Sequence, residues 1–395
     1  MRRLCGALLC VALLWLLCLP AAAAPAESAE SAKSAKSAKP ADTAQLYAQQ
    51  LSASGGDTLT ERLPADARAL LEELQVDVSR PESFTGLSAN AVLSMLAGLL
   101  HTQKNGLLQA AASLAAVVLL CAMLSGLEEA AERPSLRQTY HTVTVLAAGG
   151  LLLSPITALM VQVQQAAQSA GVFMLSFVPV YAGILSAGGS AAAALSYQTT
   201  LLAAAELLVQ LCRTALLPVL SVSLAMGCTG AVADGFCLES FSAALHKAVL
   251  WVLSLLATVF SGVLSVQQMV AAAGDTLGRR AMKFSISSFV PVVGGALSEA
   301  YTTVLGCAGL LRSTVGCFGV VATVLTVLPP LVACLAWSIC LQLAGSAAAL
   351  FRLVALEKLC RTVVGSVRVL IAVLAVFALL MIVSTSVIVF TGKAG

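Results

Sequence analysis

A helix needs about 20 consecutive apolar residues to cross a bilayer, because hydrocarbon holds no water to satisfy an open backbone. At most eight stretches of this chain approach that measure: Leu107 to Gly126, His141 to Val161, Gly171 to Gly188, Leu201 to Gly227, Ala248 to Val266, Phe289 to Leu311, Gly316 to Gly345 and Arg368 to Phe390. A chain with 59% hydrophobic and only 10% charged residues and a mean hydropathy of +0.94 cannot be soluble. The expected fold is an all-α polytopic membrane protein with seven or eight transmembrane helices. Six remain if Phe289–Leu311 and Gly316–Gly345 are re-entrant, since the first carries Glu299 and Pro329-Pro330 calls for a kink or break in the second. The formal charge of +3 is too sparse for a nucleic-acid surface.

Arg2 and Arg3, the apolar run Leu4 to Leu19 and the small residues Ala21 to Ala24 read as a signal peptide, residues 1–24, cleaved near Ala22 to Ala24. Residues 25–45 repeat Ser-Ala-Lys and cannot bury enough apolar surface to order, which predicts a disordered tether. Residues 46–104 follow as an extracytoplasmic amphipathic segment, with Leu46, Leu51, Leu63, Leu70, Leu71 and Leu74 among Glu61, Asp66, Arg68, Glu72 and Glu73. It rests on the membrane, on a partner, or on the protein itself. Ala89 to Leu100 is too short to span and reads as amphipathic or re-entrant. Residues 105–392 form the polytopic domain.

With the tether outside, the odd-numbered connections face the cytoplasm, where basic residues belong. Arg133 and Arg137, Arg279, Arg280 and Lys283, and Arg352, Lys358 and Arg361 all fall in such connections, whereas Gln162–Ala170 and Ala231–Phe241 hold no Lys or Arg. Arg312 and Lys247 run against the rule.

The chain carries no His-Glu-x-x-His, no Gly-x-Ser-x-Gly and no Walker-type phosphate loop, so no catalytic residue, cofactor site or metal site is predicted. His101, His141 and His246 read as residues at span edges, and twelve cysteines without a Cys-x-x-Cys pair indicate neither zinc nor a disulfide framework. Intramembrane charges are functional candidates because they are costly. Glu206, Gln210 and Arg213 share one helix face, suited to a polar lumen, a subunit contact or an interface; Glu299 sits among Ser298, Tyr301, Thr302 and Thr303, which argues against a lipid-facing helix. A Gly-Cys-x-Gly tetrad occurs three times, at Gly227–Gly230, Gly306–Gly309 and Gly316–Gly319. Glycines three apart flatten a helix face for close approach. The candidate pore or subunit-contact residues are therefore Glu206, Arg213, Glu299, Arg312, Gly306, Gly309, Gly316 and Gly319.

The run Phe289-Val290-Pro291-Val292-Val293-Gly294-Gly295-Ala296-Leu297-Ser298-Glu299-Ala300, continued by Val304-Leu305-Gly306 and Leu310-Leu311-Arg312-Ser313-Thr314-Val315-Gly316, resembles the signature region of the stage III sporulation protein AE family. The resemblance covers roughly residues 85–390, including a loop at Asp275–Ser288 before the signature. It departs at the Ser-Ala-Lys tether and at Arg312, where the family usually has Lys. It implies a non-enzymatic, multi-pass subunit of the channel or feeding apparatus between mother cell and forespore, in the mother-cell membrane around the forespore. The implied partners are the other membrane components, a cytoplasmic ATPase and ring proteins of the intermembrane space. From the residues alone, an autonomous permease working through Glu206 and Glu299, and a scaffold without a pore, stay open beside the subunit.

Overall fold

The structure is a computed structural model that describes residues 40–74, 111–126, 134–232, 238–289 and 294–391, together with positions 98 and 108. The signal peptide, most of the tether and Ala89–Leu100 lie outside the described residues. Every regular element among those described is helical. α1 (Pro40–Ala53), a 3₁₀ turn (Gly56–Leu59) and α2 (Ala65–Glu73) precede α3 (Ala111–Gly126) and α4 (Pro134–Ala187). α5 (Ala191–Leu211) passes through a π turn (Cys212–Leu216) into α6 (Leu217–Val232). α7 (Leu238–Phe289), α8 (Gly294–Leu350) and α9 (Val354–Thr391) complete the chain.

Five helices are long and apolar enough to cross a membrane: Thr142–Ala187, Ala191–Ala231, Ser240–Gly278, Val304–Leu350 and Val354–Thr385. The protein is thus an all-α polytopic membrane protein, but its spans divide differently from the expected eight. His141–Val161 and, up to Ala187, Gly171–Gly188 belong to the single helix α4; residues 294–311 of the Phe289–Leu311 run and all of Gly316–Gly345 belong to α8, while Phe289 ends α7. Gln162–Ala170 is mid-helix because it holds no Gly or Pro, while Gln and Ala favour the helix. Arg312–Gly316 stays helical, with the Thr314 hydroxyl donating to the Leu310 carbonyl at 2.9 Å. Pro329-Pro330 leaves the carbonyls of residues 325 and 326 without donors, yet α8 continues as packed helix on both sides. The loop expected at Asp275–Ser288 is the end of α7. α1 starts at Pro40, inside the expected tether, with proline at a helix start where its missing N–H costs nothing.

The long helices run antiparallel along their whole lengths. Gly171 and Gly149 of α4 face Val209 and Cys228 on α5 and α6, and Gly319 and Gly345 of α8 face Met381 and Cys360 on α9. Two tight turns close the hairpins. At the α4–α5 end, Gly189 takes φ 75° and the Ser190 N–H reaches the Leu185 carbonyl at 3.0 Å, a helix cap that favours glycine. At the α8–α9 end the same role falls to Arg352, at φ 58°.

α1, the 3₁₀ turn and α2 bury Tyr47, Leu51, Leu59, Leu63 and Leu71 in the same apolar core as the long helices, and Gly55 lies against Val180 of α4. The described part of the amphipathic segment, residues 46–74, therefore rests on the protein's own bundle, at the Gly189 end. Asp275 of α7 bonds the start of α5, so the last turns of α7, with Arg279, Arg280 and Lys283, also lie at that end. Arg352, Lys358 and Arg361 lie at the other. The sequence places these basic groups on one side of the membrane, whereas here they stand at opposite ends of the bundle.

Candidate functional site

Phe173, Phe177 and Tyr181 recur every four residues on α4, which puts them on one face. Phe173 and Phe177 stack at 5.6 Å between centroids, Phe177 and Tyr181 at 5.4 Å, and Tyr197 of α5 meets Tyr181 edge-on at 5.3 Å. All four are fully buried. The column exists because α8 offers it glycine: a Cβ on Gly316 would stand 2.9 Å from the Tyr181 hydroxyl, and one on Gly319 would overlap the Phe177 ring and stand 2.8 Å from Cε of Met381. Gly227 of the first tetrad similarly admits Thr362 of α9. Gly306 and Gly309 differ: a Cβ on either would meet no other atom of the described residues within 4 Å. Two of the four candidate glycines thus serve the packing of this chain, and two meet none of its other described residues.

Arg312, expected between spans, projects from α8 beside the Tyr181 hydroxyl, and the Tyr197 hydroxyl lies beside Ser384 of α9. Four helices therefore share one polar level within the apolar core.

Glu206, Gln210 and Arg213 share a face as their spacing predicts, and all three are exposed on the outside of the bundle. Glu206 and Arg213 line a cleft of about 190 Å³ between α4 and α5, with Gln168, Gly171 and Val209. The π turn begins beside it, at Cys212, and such turns often mark functional positions. Neither charge has a partner among the described residues. Glu299 lies in the first turns of α8, but its side chain is outside the described residues.

Two polar clusters were not legible as sites. His246, expected at a span edge, is buried in α7 with Nε2 at 2.9 Å from Ser223 Oγ of α6 and 3.1 Å from Ser366 Oγ of α9. A serine beside a histidine is the geometry of a base-activated nucleophile. Here, however, both serines are fully buried and Nδ1 faces the Gly365 backbone instead of an orienting carboxylate, so the cluster ties three helices together. Asp275 of α7 caps α5 from outside it: its two carboxylate oxygens each accept one N–H, from Ala192 and Ala193, at 3.0 Å. Gln268 of the same helix is fully buried and donates to the Ala193 carbonyl at 3.3 Å. The spacing of seven between Gln268 and Asp275, two turns of one helix, was the available signal. Among the described residues no three His, Cys, Asp or Glu side chains gather as metal ligands do.

The family model described as Stage III sporulation protein AE matches residues 81–392. The chain belongs to that family. Stage III sporulation protein AE of Bacillus subtilis (strain 168) is 24% identical over 204 residues, a match covering 52% of this chain and 51% of that relative. The chain thus aligns with about half the length of this stage III sporulation protein. No solved structure matches it.

Proposed function

We propose that this chain is a non-enzymatic membrane subunit of the conduit between mother cell and forespore, contributing to its pore or to the membrane platform beneath it. Family membership supports a role in sporulation. The observation that carries the subunit reading is helix length. Val304–Leu350 is 47 residues, about 70 Å at 1.5 Å per residue, against about 30 Å of hydrocarbon. Apolar surface that extends beyond the lipid needs protein to cover it, and an isolated permease has none to offer. The autonomous-permease reading also expects Glu206 to face inward, whereas it lies outside.

In this reading the protein sits in the mother-cell membrane around the forespore. Its partners are the other membrane components, a cytoplasmic ATPase and ring proteins of the intermembrane space. Arg312, Gly316 and Gly319 hold the shared core, Gly306, Gly309, Glu206 and Arg213 face lipid or neighbouring subunits, and Glu299 stays a candidate pore or subunit contact. Sporulating cells lacking the chain are expected to engulf the forespore normally and then lose forespore gene expression, whereas the protein isolated from wild-type sporulating cells should retain other membrane subunits. Normal forespore expression in the deletion strain, or solute transport by the purified chain alone in vesicles, would overturn the proposal.

A further inference from the structure

We infer that the Glu206–Arg213 cleft is the level at which a bilayer surface crosses the bundle, and that it seats the headgroup of phosphatidylethanolamine. This does not depend on the conduit reading. The helix that carries both residues, Ala191–Ala231, is 41 residues long, about 60 Å, or twice the hydrocarbon thickness. Each half matches one bilayer; the whole does not. Glu206 and Arg213 fall near the middle, beside Gln162 and Gln165, which are exposed on α4. Exposed apolar side chains lie on both sides of this band, with Leu195 65% exposed on one side and Val222 53% on the other. A bilayer centred on the band would hold an exposed carboxylate and guanidinium at its driest depth, the most costly position for either. Placing the band at a bilayer surface puts both charges among headgroups and leaves apolar faces on each side for lipid and protein.

The cleft is built for a zwitterion. An anionic and a cationic side chain stand two turns apart on α5 and the π turn, neither with a partner among the described residues, with the Gln168 amide on the facing helix. Gly171 lets α4 close on Val209 at the base. The guanidinium fork suits a phosphate. The Glu206 carboxylate suits an ammonium that donates hydrogen bonds, which a choline headgroup cannot do, and among the described residues no aromatic side chain lines the cleft to hold a quaternary amine instead. Glu206 also disfavours phosphatidylglycerol, whose head carries only negative charge. Val172, Leu175 and Val209 line the cleft's apolar side and suit the first carbons of the acyl chains.

The test reconstitutes the full chain in vesicles of equal parts phosphatidylethanolamine and phosphatidylglycerol, extracts it in mild detergent, and measures the lipids it retains. Wild-type protein is expected to retain phosphatidylethanolamine preferentially. Arg213→Gln should lower that retention roughly fivefold, the effect of one basic group at a membrane surface, and Arg213→Lys should restore most of it. Glu206→Gln should shift the retained lipid toward phosphatidylglycerol, a change in selectivity that a purely structural role would not produce. Unchanged selectivity in both Gln variants, preferential phosphatidylglycerol in wild type, or displacement by soluble phosphoethanolamine at equal concentration would each overturn the assignment. Depth is read separately from Leu207→Trp in a chain whose other tryptophans are Phe. Nitroxide at the headgroup should quench it more than nitroxide at mid-chain; the reverse order, or no quenching by either, would refute the placement.

Discussion

Gly319→Leu should leave little folded protein in the membrane, whereas Gly309→Leu should leave its level and its melting temperature in detergent unchanged. The two glycines belong to similar tetrads on one helix, so composition and helix propensity do not separate them. Their surroundings do. A single carbon on Gly319 already overlaps Phe177 and crowds Met381, both fully buried, and Leu adds three carbons more. Neither neighbour has room to withdraw, because Phe177 is stacked between Phe173 and Tyr181. Either α4 or α9 must therefore move off α8, losing dispersion contacts along the seam, which drive helix association where the hydrophobic effect does not. Overpacking of this kind costs about 3 kcal/mol or more. Gly319→Ala should fall between. Equal stability of the Gly319 and Gly309 variants would mean that the aromatic column does not seat on α8 as described.

Asp275→Ala should produce the second large loss, about 3 kcal/mol, because charge-assisted hydrogen bonds to two N–H groups, the Ala193 one buried and the Ala192 one half-buried, disappear together. Ser190 at the start of α5 makes no side-chain cap, so the carboxylate from α7 is what satisfies that terminus. It also places negative charge where the helix dipole favours it. Asp275→Asn keeps one accepting oxygen while its amide NH₂ faces a donor, so the expected order of melting temperatures is wild type, then Asn, then Ala. An Ala variant that melts with wild type would show that water or another group caps α5.

How much of this was legible in the sequence differs from element to element. Apolar run length reports lipid solubility directly, so the all-α membrane class and the approximate positions of the spans followed from composition and period. The face shared by Glu206, Gln210 and Arg213 also followed, since spacing fixes a face whatever the tertiary fold. Continuity did not. Polar residues at Gln162–Gln168 and Arg312–Thr314 look like loops when each apolar run is measured against one bilayer, but polarity does not break a helix; only lost hydrogen bonds or unfavourable backbone angles do. The tetrads announced close approach without naming the partner, because whether a glycine meets Phe177 or open space depends on contacts distant in sequence. Asp275 and His246 were missed for the same reason: their partners lie on other helices, 82 to 83 residues away for Asp275 and 23 and 120 away for His246.

Single-crossing long helices are the claim on which the rest stands, and the sidedness of two connections tests it most directly. Reporters fused after Lys283 and after Lys358, in otherwise complete chains, are expected to read opposite sides of the membrane, because α8 passes from the Gly189 end to the Arg352 end without turning back. The tether should read with Lys283. Identical readings at Lys283 and Lys358 would mean that α8 folds back as two spans, and would contradict the account.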